Sequence, residues 1–151
     1  MTSIPLDSPW DPNYPIAQNQ NPASLTRQDI LSMLSSGQKS GEDFMLIDLR
    51  REDHVGGAIQ GSINIPAQTL YPTIPALYSL FSNAGVKSVV WFCGSSQHRG
   101  FRAAAWFDDY IQSRGNEEMR SFRLHEGIKG WATGGAEFTE RMDGYVKEAW
   151  D

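Results

Sequence analysis

Two short apolar runs, F-M-L-I at residues 44–47 and V-V-W-F at residues 89–92, leave little freedom in the architecture of this chain. Neither alternates polar with apolar residues, and each is too short for a buried helix, so both read as strands covered on both faces. Strands of that kind belong to parallel sheets, whose connections are long crossovers and usually helical. The first run extends to residue 50 and ends on the charges Asp48 and Arg50. The second, read as residues 86–92, ends on the single cysteine, Cys93. In open parallel sheets, ligands sit beyond the carboxyl ends of the strands, so both exits point at one expected site end.

Helices fit between and around these strands. Thr26 followed by Asp29 has the form of a capping box, with Leu25 and Ile30 at the staple positions, and Gly37 is a natural stop, which predicts a helix over residues 27–36. Residues 62–65 read as a short strand halted by Pro66, and residues 71–84 as a helix with Leu77, Leu80 and Phe81 on one face and Gly85 at its end. A helix follows the cysteine loop to about residue 114, and residues 122–124 form another strand. The four glycines within residues 125–135 imply a loop, with Trp131 as a packing anchor. Phe138, Met142, Tyr145, Val146 and Ala149 suggest a closing helix over residues 137–150. Strands alternating with helices argue an α/β domain around a mostly parallel sheet.

The chemistry gathers in residues 88–105, S-V-V-W-F-C-G-S-S-Q-H-R-G-F-R-A-A-A. Gly94, Ser95 and Ser96 are small enough for the chain to curl with its amides turned inward, and Gln97, His98, Arg99 and Gly100 complete the loop before the helix. A ring of amides, a helix N-terminus and an arginine make an anion site. Cys93 stands at its floor, where the same groups favour the thiolate that acts as nucleophile. Arg99 offers a planar fork for two oxyanion oxygens. Cys93 and Arg99 are therefore the candidate catalytic pair, and His98 is a candidate general acid; His54 and Glu52 are the other candidates for that role. Asp48 and Arg50 read as supports at the strand exit rather than as reacting groups.

Composition narrows the classes. The net charge is −5 and no basic run occurs, which argues against nucleic-acid and anionic-membrane partners. One cysteine excludes an internal disulfide and suggests a reducing compartment, and it means that any redox cycle at Cys93 needs a thiol from outside the chain. The first residues lack the charged start and apolar core of a signal peptide, and no run of 18 apolar residues occurs, so the expected location is the cytoplasm, with the nucleus as alternative. No metal-ligand set stands out. Five of the eight prolines fall in residues 1–24, an extended arm that Trp10, Tyr14 and Ile16 would pin to a single domain spanning residues 25–151.

Taken in order, L-I-D-L-R, then H-V-G-G-A-I-Q-G-S-I-N-I-P, then strand, cysteine loop, arginine and helix, then L-H-E-G-I-K-G-W, the chain resembles a rhodanese-fold domain over roughly residues 24–135. The resemblance implies a three-layer α/β domain with a central, mostly parallel sheet flanked by helices. Five residues separate Cys93 from Arg99, and a C-x5-R loop is that of the Cdc25 phosphatases and the Acr2-type arsenate reductases; rhodanese sulfurtransferases usually carry a loop one residue shorter. Ser96 and the Arg99-Gly100 pair match the form C-x-x-S-x-x-R-G of small fungal reductases in that branch. Phe92 stands where the family commonly has histidine, His98 where Cdc25 loops often carry glutamate, and Phe101 where proline is usual.

Carried over from the resemblance, the leading expectation is arsenate reduction with no bound cofactor, external glutathione as reductant and glutaredoxin as a candidate partner. The alternatives are a Cdc25-like phosphomonoester hydrolase acting through a cysteinyl-phosphate, a thiosulfate sulfurtransferase, and a rhodanese-like binding module without turnover.

Overall fold

The computed structural model describes residues 14–151. Its centre is a five-stranded sheet built from β1 (Ser24–Leu25), β2 (Phe44–Asp48), β4 (Ser62–Asn64), β5 (Ser88–Phe92) and β6 (Arg120–Leu124), in the spatial order β1-β6-β5-β2-β4. Every pairing in it is parallel. Helices cover both faces: α1 (Arg27–Ser35), α2 (Leu70–Ala84), α3 (Arg99–Ser113), α4 (Gly127–Ala132) and α5 (Ala136–Thr139). This is the α/β, three-layer arrangement expected from the sequence.

The apolar runs explain the layers. All five residues of β2 are buried, and strand alternation divides them between two cores. Met45 and Ile47 join Val89, Trp91 and Cys93 against α2 and α3. Phe44 and Leu46 join Val90 and Phe92 against α1, α4 and α5. The sheet is thus a wall with apolar packing on either side, and β5, third of the five strands, delivers Cys93 at its edge.

Local signals set the helix ends. The Thr26 side chain accepts from the Asp29 amide at 3.1 Å while the Asp29 carboxylate accepts from the Thr26 amide at 2.9 Å, closing the expected capping box. Gly85 ends α2 in the left-handed region, where its missing Cβ removes the usual cost. The buried face of α2 is Leu70, Ile74, Leu77 and Phe81; Leu80, expected on that face, is 64% exposed.

Two expectations are corrected at the C-terminal end. The stretch expected to be a loop over residues 125–135 contains α4, with Trp131 buried in it and its indole N–H donating to the Phe138 carbonyl at 2.8 Å. The helix expected over residues 137–150 is replaced by the single turn α5, a two-residue strand β7 (Met142–Asp143) and a 3-10 turn at Lys147–Ala149. Gly144, at φ +66, turns the chain after β7, and β7 pairs antiparallel with β3 (Ala58–Ile59). Tyr145, Val146 and Ala149, read as an apolar helix face, are exposed.

The described part of the arm lies along α2 and α3. Tyr14 stacks on Tyr71 with ring centroids 5.0 Å apart and meets Trp106 edge-on at 6.1 Å, and the Pro15 carbonyl accepts from the Trp106 indole at 2.9 Å. Ile16 is 75% exposed and pins nothing, and Trp10 lies outside the described residues.

Candidate active site

The site is assembled where β5 gives way to α3. Cys93 is buried, and its sulfur accepts from the Ser96 amide at 3.1 Å. Ser96 is fully buried at φ +60, a left-handed conformation uncommon for a residue with a side chain. That turn aims its amide at the sulfur, while its hydroxyl accepts from the Cys93 amide at 3.3 Å. The Gln97 amide reaches back to the Ser95 hydroxyl at 3.4 Å. Gly100 lets the first turn of α3 approach Ser96, since a Cβ there would lie 3.0 Å from that of Ser96.

The outer wall of the loop is α4. The amides of Ile128 and Lys129 donate to the carbonyls of Cys93 and Gly94 at 3.1 and 3.0 Å, which ties the start of the loop to α4. Gly127, at φ +63, packs directly on the same two carbonyls, and a Cβ there would stand 2.6 Å from the Cys93 oxygen. Close backbone approach is the reason for a glycine here.

Arg99 is the first residue of α3 and is almost wholly buried. Its guanidinium is closed end-on around Asp53, with contacts of 3.1 and 2.6 Å to the two carboxylate oxygens. Burial opposes the charge of Arg99, but the hydrogen bonds it donates to Asp53 and the neighbouring Cys93, Asp53 and Asp48 outweigh it, so the group is protonated even more firmly than usual. Burial likewise pushes the Asp53 carboxyl up, but the Arg99 hydrogen bonds, the Arg51 amide at 2.9 Å and the Arg99 charge overcome it and hold its pKa below 3.8.

Asp48 and Arg50 form a buried pair behind this loop. The Arg50 guanidinium contacts Asp48 at 2.8 Å and donates to the carbonyls of Val55 and Gly57 at 3.0 and 2.8 Å. His54 turns to Asp48, with its Nε2 at 3.4 Å. From outside, the Gly56 carbonyl accepts from the Trp150 indole at 3.0 Å and the Val146 amide at 3.1 Å, and the Trp150 ring lies 5.7 Å from the Arg50 guanidinium.

Of the residues singled out from the sequence, Cys93, Ser96, Arg99 and Gly100 are brought together. Gly94 is half-buried, while Ser95, Gln97 and His98 are exposed, with His98 at the N-cap of α3. Glu52 is exposed. Its neighbour Asp53 is the residue the sequence reading missed. The available signal was a carboxylate on the loop after the β2 exit, close to where an unpartnered arginine fork would emerge.

The all-parallel five-stranded sheet, its two helical layers and the cysteine loop at the edge of its middle strand define a rhodanese-fold protein. Within that fold, the resemblance to the branch of Cdc25 phosphatases and Acr2-type arsenate reductases holds. The chain is 29% identical over 117 residues to Arsenical-resistance protein 2 of Saccharomyces cerevisiae, an alignment covering 69% of this chain and 90% of that relative. A yeast protein tyrosine phosphatase of the rhodanese family shares its fold at a TM-score of 0.74 and 20% identity, over 87% of this chain and 98% of the other. An As-Sb reductase from Leishmania major matches at 0.63 and 20% identity, over 71% of this chain and 74% of the other. No family model matches the chain. Among the described residues, no helix is long and apolar enough to cross a membrane.

Proposed function

We propose that this protein reduces arsenate through Cys93, drawing its electrons from external glutathione with a glutaredoxin as partner. The observation that carries the reading is the loop amide of Ser96 closed on the Cys93 sulfur, at the start of the helix that bears Arg99. Amides and a helix N-terminus that favour a thiolate also receive an oxyanion. The similarity to Arsenical-resistance protein 2 supports an arsenical as the substrate.

In this reading the Cys93 thiolate forms a bond to arsenic, and one arsenate oxygen departs as water after taking up protons. Arg99 and the loop amides hold the remaining oxygens as charge moves onto them. The chain has one cysteine, so the second thiol is external. Glutathione attacks the Cys93 sulfur, the S–As bonding pair stays on arsenic, which leaves as arsenite, and Cys93 is left in a mixed disulfide that a second glutathione, delivered through the glutaredoxin, reduces. Across the cycle two glutathiones become one disulfide as arsenic(V) becomes arsenic(III), with release of one water. Asp53, ionised against Arg99, is an acceptor rather than a proton donor, which leaves a phosphomonoester leaving group without an acid at this wall of the site.

The test is arsenite production from arsenate by the purified chain with glutathione and glutaredoxin, with loss of the signal in Cys93→Ser. Absence of arsenite together with p-nitrophenol release from p-nitrophenyl phosphate would replace the reading with phosphomonoester hydrolysis. Thiocyanate from thiosulfate and cyanide would replace it with sulfurtransfer.

A further inference from the structure

We propose that Asp53 is the positioning residue of the site: it fills the end-on edge of the Arg99 guanidinium, fixes the plane of that group, and leaves the edge at Nε to receive the oxyanion. This inference rests on the oxyanion reading above and deepens it.

A guanidinium offers two bidentate edges, one across its terminal nitrogens and one across Nε and a terminal nitrogen. Asp53 takes the first, with Nη1 donating to Oδ1 at 3.1 Å and Nη2 to Oδ2 at 2.6 Å. Among the described residues no hydrogen bond engages the Arg99 Nε. An acceptor at that second edge lies clear of the carboxylate, so Arg99 can take a ligand without releasing Asp53. Arg99 also opens α3 at the end of the loop, and Cys93 is close enough to help keep it charged.

Both partners are held before any ligand arrives. The Arg99 side chain is 9% exposed, and pairing with Asp53 settles which of its rotamers it takes. An arginine ordered only on binding would lose part of its grip to that ordering. The Asp53 carboxylate is fixed in turn by the Arg51 amide at 2.9 Å, and its loop by Arg50, which donates to the Val55 and Gly57 carbonyls at 3.0 and 2.8 Å. The Trp150 indole and the Val146 amide donate to the Gly56 carbonyl between them. Gly57, at φ +110, lies so close to the C-terminal segment that a Cβ would stand 2.8 Å from the Asp143 oxygen. Arg99 and the Arg51 amide keep the Asp53 pKa low against burial, so the pairing persists at neutral pH.

The arrangement separates rate from affinity. The charge of Asp53 opposes an incoming anion, so the pairing does not tighten ground-state binding. It fixes a donor where charge gathers as the bond from Cys93 to arsenic forms, and a misplaced donor slows that step. Removing the carboxylate therefore lowers the rate while anion affinity stays level or rises.

The experiment compares the full chain with Asp53→Ala and with Asp53→Asn, whose amide oxygen can still accept one of the two bonds. It reads kcat for arsenite formation with glutathione and glutaredoxin, and phosphate affinity by calorimetry at pH 7. We expect kcat to fall by ~10–100-fold in Asp53→Ala and by less in Asp53→Asn, with phosphate affinity equal or tighter in both. In the unsubstituted chain the Nε–H resonance of Arg99, assigned through Arg99→Lys, should shift when phosphate is added. A kcat unchanged or raised in Asp53→Ala, kcat and phosphate affinity falling together in both variants, or an unmoved Nε–H resonance overturns the inference and leaves the oxyanion site standing. A chain that binds phosphate but forms no arsenite fails the arsenate reading alone; an Nε–H that shifts then supports the inference and one that does not overturns it. Neither arsenite nor phosphate binding in the unsubstituted chain removes the oxyanion reading itself, and this inference with it.

Discussion

Substituting Gly127 by alanine tests whether the cysteine loop is shaped from outside by α4. The residue sits at φ +63 with its α-carbon against the Cys93 and Gly94 carbonyls. An alanine in the left-handed region costs about 1 kcal/mol from backbone conformation alone. Its methyl group also collides with both carbonyls, so the loop and α4 must part, breaking the bonds from the Ile128 and Lys129 amides at 3.1 and 3.0 Å. At about 1 kcal/mol for each hydrogen bond, the expected loss is ~3 kcal/mol in all. Gly85 supplies the control, because it has φ +80 and nothing within 4 Å of a built Cβ. Gly85→Ala should therefore lose only the conformational part, ~1 kcal/mol. Urea unfolding followed by tryptophan fluorescence gives both stabilities, and phosphate titration reports the loop. Equal losses in the two variants, or undiminished phosphate affinity in Gly127→Ala, would refute the view that α4 holds the loop open.

Cys93→Ser should abolish arsenite formation, and Arg99→Ala should lower kcat/KM by ~10²–10³-fold, the usual loss for one oxyanion-stabilising donor; full rate in either variant rules out the assigned roles. The Asp53 carboxyl is held below its ordinary value by Arg99 and the Arg51 amide despite burial, so its pairing with Arg99 contributes stability present above the unfolded value and lost as pH falls through the lowered folded one. Unfolding midpoints measured from pH 6 down to pH 2 should fall less steeply in Asp53→Asn than in the unsubstituted chain, and parallel profiles would contradict the pairing. Thr26→Ala should cost about 1 kcal/mol in urea unfolding through loss of the capping box, with no change in phosphate affinity.

The sheet was legible because burial on both faces leaves an uninterrupted apolar run, a signal carried within a few residues. β2 and β5 needed nothing else. The cysteine loop was legible for the same reason: strand, small residues, arginine and helix follow one another directly. Asp53 was not legible, because its partner lies 46 residues away and only the fold brings the two together. The glycines within residues 125–135 were misread as looseness. Gly127 and Gly130 serve close packing inside a helix, the former on the cysteine loop and the latter on the Glu126 side chain. The terminal stretch failed through an accident of spacing. Phe138, Met142 and Tyr145 fall at helical intervals, yet pairing with β3 and the turn at Gly144 dictate a strand and an irregular tail.

That tail joins the loop before β3 by a pair of two-residue strands and a few bonds to Gly56, an attachment far smaller than the five-stranded sheet beneath it. Regions with few buried contacts open at much lower free energy than a central sheet. The segment holding Asp53 in place is therefore expected to open before the sheet does. Its amides at Gln60 and Val146 would exchange with solvent while those of Val90 and Phe122 stay protected. Opening of that segment would free the Arg99 fork with the sheet intact, so the grip on an oxyanion and the global stability of the fold are set by different parts of the chain.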